Sequence, residues 1–175
     1  MRYLNDTGFV VKRVNLGEAD RFLTLFTQNN GKIEVLAKGV RKITSKRASH
    51  IELLNLINFN SIQGKKNLIL TEVQMVDSFE EKRVTLQQCE VIFLVCELIE
   101  RLCPFGAVNY ELFSHVKDFL DTGDFSKDAL LTFETEMLVQ LGFWNKDKTF
   151  SSEDESSKFI ESLIERKLRS RIITY

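Results

Sequence analysis

The chain has 175 residues, 43% hydrophobic and 28% charged, which is enough apolar content for a packed core and excludes wholesale disorder. Its formal net charge of −1 excludes a uniformly basic or uniformly acidic protein. No apolar run approaches the roughly 18 residues of a membrane span, and MRYLNDTGFVV lacks the layout of a secretory signal, so a cytoplasmic protein without membrane association is expected.

The charge is unevenly spread. Up to Ser78 there are twelve bases against seven acids, a balance of +5; after it there are twelve against eighteen, a balance of −6. A basic half joined to an acidic half points to two domains, expected at 1–79 and 80–175, the first facing an anion.

Gly8–Val14 reads as a strand, followed by a turn, NLGEAD. Arg21–Thr27 is a second strand, with Leu23 and Leu25 on one side and Phe22 and Phe26 on the other. The cluster Gln28-Asn29-Asn30-Gly31 signals a hairpin. Lys32–Lys38 alternates, placing Ile33, Val35 and Ala37 on the buried face of a third strand. Ile51–Phe59 reads as a fourth strand and Leu68–Val76 as a fifth, facing inward through Ile69, Val73 and Met75. Five short strands in under eighty residues would leave exposed edges in an open sheet. Closure into a small barrel removes them, so the expected fold class is α+β: a five-stranded OB-fold barrel, then an all-helical domain.

The helical signals begin after Ser78. Thr85–Leu102 is apolar on more than one side and ends before Pro104. Asn109–Leu120 is amphipathic, and Ser126 is the expected N-cap of Lys127–Leu141, with Gly142 as its stop. Residues 145–157 read as a polar loop and Lys158–Ile173 as a last helix, whose basic end suits the negative end of the helix dipole.

Lys38, Arg41, Lys42, Lys46 and Arg47 follow the third strand, and no acid stands between Glu34 and Glu52. Taken alone, this run fits either a solvated loop or a polyanion contact, where each base near a phosphate releases a condensed counterion. An OB barrel holds single strands on its second and third strands and in its first and fourth loops. Lys65 and Lys66 fall in the fourth loop, and Lys12 and Arg13 lie on the first strand. Phe22 and Phe26 fit base stacking or, as is more usual at strand spacing, the core.

Catalytic signatures are missing: HExxH and GxSxG do not occur, and Gly64-Lys65 lacks the upstream glycine of a phosphate-binding loop. Cys89, Cys96 and Cys103 recur every seven residues, about 10 Å apart on one helix face, too far to share a metal. They read as small apolar residues of a reducing compartment. The expectation is a binding protein, not an enzyme, with no cofactor and no metal.

The stretch TGFVVKRVNLGEADRFLTLFTQNNGKIEVLAKGVRKITS resembles the opening of the RecO family of bacterial recombination mediators. The shared order runs through Gly8–Val10, Gly17–Arg21, Leu23–Thr27, Gly31-Lys32, Ala37–Gly39, and Arg41, Lys42 and Ser45; Lys167–Arg171 is similar to the family's final helix. The resemblance implies an OB domain before a helical one, binding and annealing of single-stranded DNA, contact with duplex DNA, and a nucleoid-associated location. The partners it implies are a RecR-like protein and the C-terminal tail of single-strand-binding protein, in support of recombinase loading. Many family members carry a four-cysteine zinc module after the third helix; this chain has no CxxC, is short for the family, and is expected to lack zinc.

The candidate DNA-binding residues are therefore Lys12, Arg13, Lys38, Arg41, Lys42, Lys46, Arg47, Lys65 and Lys66. For the helical domain, an exposed Phe143-Trp144 with Arg166, Lys167, Arg169 and Arg171 is the expected docking surface for an acidic, apolar-ended peptide. Two alternatives stand beside DNA repair: an adaptor whose main work is docking that peptide, and an RNA-binding OB protein.

Overall fold

The computed structural model describes the backbone of residues 3–172 and the side chains of residues 3–170. Two compact units emerge: one holds the chain through Phe79 together with Pro104–Asn109, the other Glu80–Cys103 and the chain from Tyr110 onward.

In the first unit, β1 (Tyr3–Leu16), β2 (Asp20–Thr27), β3 (Gly31–Ala37), β4 (Leu56–Gln63) and β5 (Leu68–Asp77) close into a barrel in the order β1-β2-β3-β5-β4. Only β3 and β5 run parallel. This is the expected five-stranded OB barrel. β1 is long because it serves two neighbours: Tyr3–Phe9 pairs with β4, and Gly8–Leu16 pairs with β2. Inward side chains from every strand meet in one core, with Val10, Leu23, Leu25, Val35, Ile57, Phe59 and Leu70 at its centre.

Three expectations need correction. The fourth strand starts at Leu56, not Ile51, because Ser49–Ile51 is a 3-10 turn and Leu54 takes a left-handed backbone (φ 61°). The cause is Asn55: its buried amide donates to the carbonyls of Ser49 and His50 at 3.1 and 3.0 Å, tying the segment into a corner. The fifth strand faces inward through Leu68, Leu70 and Val73, while Met75 is 41% exposed. A register shift opposite Asn60/Ser61 leaves Thr71 without a partner, and this bulge reverses the alternation.

The third correction concerns the last helix. It runs from Glu153 to Ile164, opens with three acids, and has no base in its last turn. Ser152 caps it, and Glu165 ends it in a left-handed conformation (φ 55°). Beyond it, carboxylates take the backbone amides that a longer helix would have used. Glu161 accepts from the Leu168 amide at 3.0 Å, and Glu97 accepts from the amides of Arg169 and Ser170 at 3.1 and 2.9 Å. A short helix follows at Arg169–Ile172, and the expected end at Ile173 lies outside the described residues.

The remaining helices of the second unit are α1 (Leu86–Leu102), α2 (Tyr110–Thr122) and α3 (Lys127–Gln140), with Glu153–Ile164 as α4 and Arg169–Ile172 as α5. Thr85 and Gln88 form a reciprocal capping box on α1, and Ser126 caps α3 as expected. Phe119 stacks on Phe133 with centroids 4.3 Å apart, at the centre of the α2–α3 packing. Cys96 and Cys103 are buried and Cys89 is half-buried.

Pro104–Asn109 returns to the first unit and covers the start of β3. Phe105 bridges Lys32 in parallel, and the Gly106 amide donates to the Lys32 carbonyl at 2.9 Å. The Lys32 ammonium lies 4.6 Å from the centre of the Phe105 ring. Gly31 makes this approach possible: a Cβ there would stand 2.3 Å from the Ala107 carbonyl oxygen, and its φ is +66°. Gly17 has a similar φ of +56° but open space around it. Gly17→Ala is therefore expected to cost about 1 kcal/mol of backbone strain, and Gly31→Ala at least twice as much, by urea denaturation of both variants.

Candidate nucleic-acid interface

Residues 38–50 leave β3 and run through successive turns. The amides of Lys42, Ser45 and His50 donate to the carbonyls of Gly39, Lys42 and Arg47 at 3.2, 2.8 and 3.2 Å. Val40 is fully buried and pins the start of the loop into the barrel core. The loop is thus turn-built and anchored.

Three further bonds fasten it to the turn between β1 and β2. The Gly39 amide donates to Asp20 Oδ1 at 2.7 Å. The Arg41 amide donates to the Ala19 carbonyl at 2.9 Å, and the Arg41 guanidinium to the Gly17 carbonyl at 2.7 Å. Farther along, Arg47 donates to the carbonyls of Lys38 at 2.7 Å and Leu70 at 3.4 Å, tying the loop to the ends of β3 and β5.

The sequence-derived basic residues divide by what their heads already hold. Lys38, Arg41, Lys42 and Lys46 are exposed on the loop, while Arg47 is half-buried and engaged with two carbonyls. Lys12 is exposed on β1, next to the register shift, and Arg13 is paired with Glu52 at 2.6 Å. That pair spends part of the charge assigned to the surface. Lys65 and Lys66 are exposed in the turn between β4 and β5, which the Gly64 amide closes on the Asn67 carbonyl at 2.9 Å. Leu68, which follows this turn, is level with Val35 of β3, three residues and roughly 10 Å along the strand direction from Lys38. Phe26 is buried in the core and Phe22 is half-buried, so Phe26 is withdrawn from stacking and Phe22 is partly so.

Sequence reasoning missed two features of this surface. One is Asp20, whose partner lies 19 residues away. The other is a polar grid on the outer face of β1, β4 and β5, where Thr7 donates to Asn58 at 2.7 Å and Asn60 to Glu72 at 2.7 Å. The alternation of Asn58 and Asn60 with Ile57 and Phe59 along β4 is the signal that points to it.

In the helical unit Phe143 is 43% exposed, but Trp144 is half-buried. Its ring stacks on Phe150 at 4.1 Å and meets Phe159 edge-on at 4.7 Å, and its Nε1 donates to the Lys148 carbonyl at 3.0 Å. This trio closes the α3–α4 connection. Arg166, Lys167 and Arg169 are exposed on the tail beyond α4, and the Arg171 side chain lies outside the described residues. Among the described residues no cluster of three or more His, Cys, Asp or Glu is arranged to hold a metal, and no helix is long and apolar enough to cross a membrane.

The barrel order, the parallel β3–β5 pair and a separate helical unit define an OB-fold protein with an appended all-α unit. The family described as "Recombination protein O N terminal" matches residues 1–79. The DNA repair protein RecO of Dehalococcoides mccartyi is 35% identical over 137 residues, 77% of this chain and 54% of that protein. RecO of Roseiflexus sp. is 30% identical over 145 residues, 81% of this chain and 51% of that protein, and RecO of Acetivibrio thermocellus is 39% identical over 88 residues. The chain belongs to the RecO family of DNA repair proteins, and it spans about half the length of these first two relatives.

Phe150 is 4% exposed beneath Trp144. Phe150→Ala is expected to lower stability by about 3 kcal/mol and to shift the emission of this single tryptophan to the red, read by fluorescence-monitored unfolding.

Proposed function

We propose that this chain is a DNA-binding recombination mediator, not an enzyme, whose barrel contacts single- and double-stranded DNA through the loop after β3 and which brings complementary strands together. The observation that carries the proposal is the anchored loop itself. Four exposed cationic heads, Lys38, Arg41, Lys42 and Lys46, rise from a turn-built segment with no acid of its own. Cations held in place meet a phosphate backbone without first having to be ordered. Lys65, Lys66 and Lys12 extend the surface, and Arg13 adds less because Glu52 already faces it. A surface that screens the charge of one strand lowers the repulsion a second strand meets, which is the physical requirement of annealing. Contact is with the backbone rather than by stacking, since Phe26 is withdrawn and Phe22 partly so. A RecR-like protein and the tail of single-strand-binding protein are the partners this family membership supports.

A second reading, an adaptor for an acidic peptide, has its own support in the helical unit. Leu131, Val139 and Phe150 line an open groove between α3 and the following loop, with Lys146 and Lys148 among its lining residues. That groove, rather than Trp144, is the apolar surface on which such a peptide fits.

The test is the salt dependence of binding to a single-stranded oligonucleotide. Each lysine that meets a phosphate contributes about 0.7 to the slope of log affinity against log salt, which is about fivefold in affinity at 0.1 M salt. Lys42→Ala combined with Lys46→Ala is expected to lower the slope by about 1.4 and to slow annealing of complementary strands. An unchanged slope would remove these lysines from the interface.

A further inference from the structure

An acid has no evident reason to sit against a surface built to meet phosphates, because its charge opposes the approach of a polyanion. Yet Asp20 lies at the base of the basic loop, and its Oδ1 takes the Gly39 amide at 2.7 Å. Gly39 has a φ of +66°, the left-handed backbone that aims this amide back toward the β1–β2 turn. A charged acceptor makes a stronger bond to an amide than a neutral one. The same turn receives the amide of Arg41 at 2.9 Å. At the other end of the loop, the planar fork of Arg47 reaches two carbonyls, that of Lys38 just past β3 and that of Leu70 on β5. A single ammonium on a flexible stem does not reproduce that fork.

We infer that Asp20 and Arg47 are positioning residues, fastening the two ends of the 38–47 loop so that Lys38, Lys42 and Lys46 are presented to nucleic acid as a fixed set. The inference rests on the nucleic-acid reading of this surface. It assigns Arg47, which the sequence places among the phosphate contacts, to the frame that holds them. It also explains the acid: the electrostatic cost of Asp20 is offset by the order it imposes on the cations. Without the anchor the loop would have to be ordered at the moment of binding, and fixing even one backbone residue is worth about tenfold in affinity.

Simple charge and positioning predict opposite signs. Asp20→Ala removes a repulsive charge, so on charge alone the variant binds a single-stranded oligonucleotide more tightly. Positioning predicts binding about tenfold weaker, with the salt slope unchanged because every lysine is still present. Asp20→Asn keeps an oxygen acceptor for the Gly39 amide and is expected to restore wild-type affinity or exceed it. Arg47→Lys keeps the charge and loses the fork, and is expected to weaken binding as Asp20→Ala does.

Hydrogen exchange on the wild-type chain supplies a readout that needs no variant and no DNA. The Gly39 and Arg41 amides are expected to be protected although their loop is exposed. Equal or tighter binding by Asp20→Ala, or fast exchange at both amides, overturns the inference. Protected amides in a wild-type chain that binds no oligonucleotide would instead overturn the nucleic-acid reading, and the role assigned to the anchors with it.

Discussion

The barrel depends on one strand having two partners. β1 pairs with β4 over its first half and with β2 over its second, and the exchange falls at Gly8 and Phe9, which pair on both sides. Gly8 is the residue that fits: a Cβ there would stand 3.0 Å from the Phe26 carbonyl oxygen, tighter than a packed core readily accepts. Next to it the register against β2 shifts between Val10 and Lys12, and the β4 side of β1 is taken over by Leu54 and Asn55. Closure therefore sets where the β1–β2 turn and the end of β3 come together. That meeting place is where Asp20, Gly39 and Arg41 make their bonds.

Closure also leaves a gap that the chain fills from a distance. β5 pairs with β3 only at Leu68 and Ile69, so the first residues of β3 would present unpaired backbone groups on that side. Pro104–Asn109 supplies the missing contact, through the Lys32–Phe105 bridge and the amide of Gly106. Lys32 is 3% exposed, an unusual place for an ammonium, and the aromatic face above it is part of what makes its burial tolerable. The barrel thus takes residues from beyond α1, which explains why its boundary is not a single position in the chain.

Most of the fold was legible because most of its elements obey one period. β2 and β3 are short apolar runs bounded by turn residues, α1 and α3 carry Thr85 and Ser126 as caps, and α2 has one apolar face. The elements that were misread are those where a side chain overrules the period. Asn55 bends the run that looked like the start of β4. Thr71 reverses the faces of β5. Glu97 and Glu161 capture amides that would otherwise have extended α4. In each case a specific side-chain bond or the opposing strand sets the break, and hydrophobic periodicity holds no trace of it. The candidate site shows the same division. Its bases could be counted along the chain, but Arg13 meeting Glu52 and Asp20 meeting Gly39 are consequences of barrel closure.

That division separates two jobs which composition merges. Arginine and lysine count equally toward the +5 balance of the first 78 residues, yet here they sit in different chemistry. Arg13, Arg41 and Arg47 each hold a protein acceptor, as befits a rigid multi-donor fork. Lys38, Lys42 and Lys46 carry exposed, strongly hydrated ammonium heads on the anchored loop. Point charges of this kind act on any polyanion alike, because sequence is read by groups aimed at base edges. The lysines thus supply the exposed charge of this face, and the arginines the frame on which it stands.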